Sequence, residues 1–190
     1  MHYVHYTKRN AAERLSAALT DELIRRNTRE LVVVCIGTDR STGDSLGPLV
    51  GTFLKEAPLP EWVSVYGTLD FPVHAMNLTE CLDMVACCHP DATVLAVDAT
   101  LSDVEHIGYV TLENKPLKPG AGVGKRLPPV GDLSLTGVVN AGGFMEYFVL
   151  QNTRLSEVMK MARVMAEIIW RAVINVDEAM TAFDYAAVTQ

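Results

Sequence analysis

Apolar residues fall into two kinds of pattern along this chain, and they alternate. Leu15, Leu19 and Leu23 recur at helical spacing through about Thr7 to Thr28, which predicts an amphipathic opening helix. Leu31 to Ile36 is an unbroken apolar run, the signature of a strand covered on both faces. Leu46, Val50, Phe53 and Leu54 then line one face of a helix that stops before Pro58. Trp62 to Tyr66 reads as a strand, and Gly67 to Pro72 as a turn opening a helix with Leu78, Cys81, Leu82 and Val85 inward. Thr93 to Val97 is a third core strand, ending at Asp98.

Beyond it, Ile107 to Leu112 and Leu133 to Val139 read as strands separated by a Pro- and Gly-rich stretch. Leu155, Val158, Met159, Ala162, Met165, Ala166 and Ile169 mark a long closing helix. Strands alternating with helices predict right-handed crossovers and a mostly parallel sheet in a three-layer α/β/α sandwich. No repeat or linker interrupts the 190 residues, so a single domain over 1–190 is expected.

Charge and cysteine usage narrow the function. A net charge of −7 argues against nucleic-acid binding, which needs a basic face. Cys35, Cys81, Cys87 and Cys88 show neither a Cys-x-x-Cys pair nor zinc-type spacing, which fits free thiols in a reducing compartment. The N-terminus lacks an apolar signal core and no run is long enough for a membrane span, so a soluble, cytoplasmic protein is expected.

Candidate chemistry lies where strands hand over to loops, because open α/β sheets bind ligands beyond the carboxyl ends of their strands. The segment Gly37-Thr-Asp-Arg-Ser-Thr-Gly43-Asp44-Ser-Leu-Gly47-Pro48 follows the first core strand. A phosphate loop would place a lysine where Asp44 stands, and its glycines would be one residue closer, so that reading fails. Asp44 is either the N-cap of a helix from Ser45 or a site carboxylate. Asp98 ends a buried run and must find partners there. Lys118-Pro-Gly-Ala-Gly-Val-Gly-Lys125 lacks the strand and helix of a dinucleotide fingerprint and is expected to flank the same sheet edge. Of five histidines, only His74 falls near a strand's carboxyl end, at the start of the next helix. No cofactor-binding motif is present, and an oligomer stays open.

Taken together, the Gly37–Pro48 segment, Tyr66-Gly-Thr-Leu-Asp-Phe-Pro-Val-His-Ala-Met-Asn77, Lys118–Val123 and Asn140-Ala-Gly-Gly-Phe-Met-Glu-Tyr147 resemble the YyaC family of sporulation proteins, over about residues 7 to 172. That family is similar to the germination protease and to hydrogenase maturation endopeptidases. The germination protease has an Asp-Ala-Leu-Gly-Pro segment like Asp44-Ser-Leu-Gly-Pro48 and an Ile-Asp-Ala-Leu segment like Val97-Asp98-Ala99-Thr100. Its acids in those segments are implicated in peptidase activity, so the resemblance implies that Asp44 and Asp98 are catalytic and that the substrate is a protein or peptide. It also implies a phosphorylase/hydrolase-like fold. Thr38, Asp39, Gly43, Gly67, Thr68, His74, Gly120 and Gly122 are implied as residues of the site and its loops.

Hydrogenase maturation peptidases add a downstream histidine that completes a metal site. This chain has none after His106, so no metal ligand is assigned. Three readings are open. The first is a spore endopeptidase working through an aspartate pair, with the roles of the two acids undecided. The second is a metal-dependent hydrolase recruiting His74 or Asp70. The third is a non-catalytic sporulation protein that keeps the fold for binding or regulation.

Overall fold

A computed structural model describes residues 1–120, 127–143 and 145–188, with side chains through residue 181. Six strands, β1 (His2–His5), β2 (Leu31–Cys35), β3 (Val63–Tyr66), β4 (Thr93–Ser102), β5 (Tyr109–Glu113) and β6 (Leu133–Ala141), form one sheet in the order β1-β5-β6-β4-β2-β3. The four strands from β6 to β3 are parallel, while β5 and β1 run antiparallel at the other edge.

Period-2 alternation divides the strands between two cores. Leu31, Val33 and Cys35 of β2, with Leu95 and Val97 of β4, face the helices α1 (Ala11–Arg25), α2 (Leu46–Glu56) and α5 (Leu155–Val188). Val32, Val34 and Ala96 face α3 (Leu78–Cys88) through Leu78, Cys81 and Val85. Both faces of the central strands are therefore dry, as their continuous apolar runs require. The result is the mostly parallel, helix-flanked sheet that the periodicity predicts.

Four details depart from it. The antiparallel edge includes β1, a strand the sequence does not announce, because among its four residues only Val4 is buried. Asp98 does not end β4. The strand continues to Ser102 because β6 keeps pairing with it, Asp98 opposite Thr136. His74 does not start α3; it precedes the helix by a turn, and its carbonyl accepts the N–H groups of Asn77 and Leu78. A short helix α4 (Glu146–Gln151) carries no buried residue, so no apolar periodicity reports it. None of the described helices is long and apolar enough to cross a membrane.

The chain order sets where a site can form. From β2 the chain moves outward to β3 through α2, then crosses back through α3 to place β4 on the other side of β2. The direction of winding thus reverses between β2 and β4, the switch point at which such sheets open a crevice at their carboxyl ends.

Candidate active site

The β2–β4 ladder ends at Cys35 opposite Val97. One residue later the Ile36 N–H still donates to the Val97 carbonyl at 2.7 Å while Ile36 bridges Val73, and the Gly37 N–H then donates to the Val73 carbonyl at 2.8 Å. β2 peels away from β4 at the point where Asp98 follows Val97, and the gap becomes a cavity of about 540 Å³. That volume lies within the usual range for small-ligand sites. Asp44 and Asp98 both line it, together with Thr38, Arg40, Ser41 and His74.

Asp44 reaches the cavity from a one-turn 3-10 helix, Gly43–Ser45, that runs directly into α2. Thr42 and Ser45 occupy the two cap positions, so the N-cap reading of Asp44 does not hold. The turn is held by its backbone: the Thr38 N–H donates to the Asp44 carbonyl at 3.1 Å, and the Ser45 N–H to the Ser41 carbonyl at 3.0 Å. Gly37 permits this closure, with φ at +142° and no room for a side chain against the Asp44 carbonyl.

Asp98 is buried, with 7% of its surface exposed. Its Oδ1 accepts the Ala99 N–H at 2.8 Å. Burial pushes its carboxyl well above the ordinary carboxylate range, and the negative charge of Asp44 pushes it further; the Ala99 bond opposes both more weakly. Asp98 therefore keeps a proton that an exposed aspartate would lose. With Oδ1 occupied by a donor, that proton belongs on Oδ2.

His74 faces the same cavity. Its N–H donates to Asn77 Oδ1 at 2.8 Å and its Nδ1 accepts the Met76 N–H at 3.3 Å. An accepting Nδ1 puts the hydrogen of the neutral ring on Nε2. Pro119 and Gly120 also line the cavity, so the described part of the Gly-rich loop flanks the acid edge. Gly122 lies outside the described residues.

Four other positions implied by the resemblance do not line it. Asp39 is exposed beside it. Gly43 is packed against Leu150 and Thr153, where a side chain would collide. Gly67, at φ +88°, lets the chain pass the Cys35 carbonyl. Thr68 closes the next turn, its N–H donating to the Phe71 carbonyl at 3.1 Å and its Oγ1 accepting the Phe71 N–H at 3.2 Å. These residues shape the crevice from behind.

The metal reading has a specific requirement, three or more converging donors. Asp70 is exposed in its turn and does not line the cavity. Among the described residues no three His, Cys, Asp or Glu side chains are grouped to hold a metal ion, Asp44, Asp98 and His74 included.

Arg40, Ser41, Met76, Tyr147 and Leu150 line the cavity without having been singled out from sequence, and Ser41 is the most telling of them. It lines the cavity, is 8% exposed, and among the described residues its Oγ has no hydrogen-bond partner. An unsatisfied buried hydroxyl costs about 1–3 kcal/mol, a cost tolerated at sites that meet a ligand. Ser41→Ala is therefore expected to raise stability by up to about 1 kcal/mol. Urea unfolding of the pair checks this, and a loss above about 1 kcal/mol would show a bond that the geometry does not contain.

The family model "Protein of unknown function (DUF1256)" matches residues 3–168. "Uncharacterized protein YyaC" of Bacillus subtilis (strain 168) is 53% identical over 165 residues, covering 87% of this chain and 80% of that protein. Among solved structures, the [NiFe] hydrogenase maturation protease HycI from Thermococcus kodakarensis KOD1 superposes with a TM-score of 0.57 at 18% identity, covering 82% of this chain and 98% of that one. At that identity the likeness speaks for the fold alone, a mostly parallel sheet with helices on both faces. The chain belongs to the DUF1256 family, with the Bacillus YyaC protein as a relative across most of its length.

Proposed function

We propose that the protein hydrolyses peptide bonds through Asp44 and Asp98. The observation that carries this reading is a buried Asp98, its carboxyl pushed above the ordinary range by burial and by the charge of Asp44, lining one cavity with Asp44 at the switch point of the sheet. Two carboxyl groups whose surroundings drive their proton affinities apart supply an acid and a base at one pH.

Ionised Asp44 takes a proton from a water molecule as its oxygen adds to the scissile carbonyl carbon. Asp98 Oδ2 gives its proton to the carbonyl oxygen. The tetrahedral species then collapses: the C–N bond breaks, Asp44 returns its proton to the departing amine, and the hydroxyl proton goes back to Asp98. Every proton is restored, and no other cofactor is required. The pair titrates as a unit, so its pH–rate profile reports both groups together. The HycI neighbour is named a protease, and it supports the same class of reaction, as does the resemblance to the germination protease. The resemblance to sporulation proteins makes spore-core proteins the first substrates to try.

Incubation with such proteins, followed by mass spectrometry of the fragments, tests the proposal. Cleavage should survive a chelator and vanish in Asp44→Asn. Cleavage lost to the chelator and restored by one metal would refute the acid-pair mechanism.

A further inference from the structure

Two large apolar side chains that stand in water, Met76 and Tyr147, line this cavity. Among the described residues eleven large hydrophobic residues are exposed, and five of them, Phe71, Met76, Met145, Tyr147 and Phe148, fall in two short segments that each send one residue, Met76 or Tyr147, into the cavity wall. Met76 is 87% exposed and Phe71 81%, values that bring no folding benefit. Met76 and Tyr147 line the cavity itself, with Leu150 beside them. The two segments arrive from different places, one between β3 and α3 and the other at the start of α4. Met76 and Tyr147 meeting at one opening from these two segments is what an exposed apolar patch at a binding site looks like.

We propose that the cavity captures an extended polypeptide segment by one bulky uncharged side chain, seated against Met76, Tyr147 and Leu150 beside the acid pair. An extended backbone fits because Gly37 and Gly120 both line the cavity and allow close approach. Charge selects in the same direction. Asp44 shares the cavity with Arg40, Asp98 adds no charge while it keeps its proton, and the whole chain carries −7, so the net field disfavours an acidic anchor and leaves an aliphatic or aromatic one untouched. Ser41 Oγ, in the same wall and without a hydrogen-bond partner among the described residues, is placed to bond a peptide group once the segment is seated. Cleavage of the captured segment rests on the peptidase reading; its capture does not.

A positional-scanning library of decapeptides, passed over immobilised Asp98→Asn protein, tests this, with Asp44→Asn as a second background should the first not fold. Retained peptides should favour Leu, Met, Phe or Tyr over Asp or Glu at one position by about 10-fold or more, the discrimination of an apolar pocket. Met76→Glu in either background should remove that preference with no change in melting temperature, since the side chain is almost wholly exposed. No retention, a preference for acidic anchors, or an unaffected Met76→Glu variant would overturn the proposal. So would light scattering showing that this variant splits a dimer whose interface covers the patch. Selective retention without cleavage by the wild type would leave the subsite standing and sink the peptidase. Cleavage without apolar preference would do the opposite.

Discussion

Asp98→Asn is expected to lose about 10³-fold in peptide hydrolysis, within the range for a positioned acid, while stabilising the folded protein as pH rises. In the unfolded chain Asp98 titrates near the ordinary aspartate value of about 4. In the folded chain burial and Asp44 hold its proton to well above that. Between those limits the folded state binds more protons than the unfolded one, so wild-type stability falls with rising pH across the window. Asparagine has the shape of the protonated acid and nothing to release. The two proteins should match in acid and diverge upward through the window, with the variant more stable. Urea midpoints at a series of pH values measure the difference, and parallel curves would show that Asp98 is not held protonated.

Gly37→Ala is expected to cost about 3 kcal/mol or more, lowering the melting temperature by roughly 6–12 °C for a chain of this size. Position 37 has φ at +142°, and an added Cβ would overlap the Asp44 carbonyl oxygen and stand 3.0 Å from Pro48 Cδ. Neither obstacle is a flexible side chain, so the turn itself must move. Moving it breaks the Thr38 to Asp44 backbone bond and carries the Asp44 carboxyl away from Asp98. Folded variant protein should therefore lose activity as well as stability, and the Asp98 carboxyl should titrate at lower pH. Unchanged thermal unfolding would mean that the turn is laxer than its geometry.

The same residues show why some of this was legible in sequence and some was not. β2 and the first half of β4 were readable because strand segments covered on both faces must be apolar, and Asp44 and Asp98 follow those apolar runs. Strand pairing was not readable. Asp98 lies inside β4 because β6, a partner well downstream in sequence, extends beside it. β1 hid because an edge strand needs one buried face, supplied here by Val4 alone. Strand-end position and resemblance both single out Asp44 and Asp98 in sequence; that Asp98 is the more buried of the two, on which their proposed roles rest, depends on packing that sequence does not show. Ser41, Met76 and Tyr147 gave no local signal, since each matters only where separate loops meet. Gly67 and Thr68 lie in a segment of the resemblance because the crevice needs that turn, without lining the cavity.

Hydrolysis in H₂¹⁸O bears most directly on the central claim that an acid pair activates water against a peptide bond. Wild-type protein, Asp44→Asn and Asp98→Asn are incubated with spore-core proteins and chelator, and the new C-termini are read by mass spectrometry. The account predicts cleavage by the wild type alone, each new carboxyl carrying ¹⁸O from solvent. Cleavage by either variant at the wild-type rate, or none by the wild type on substrates it demonstrably binds, would contradict it.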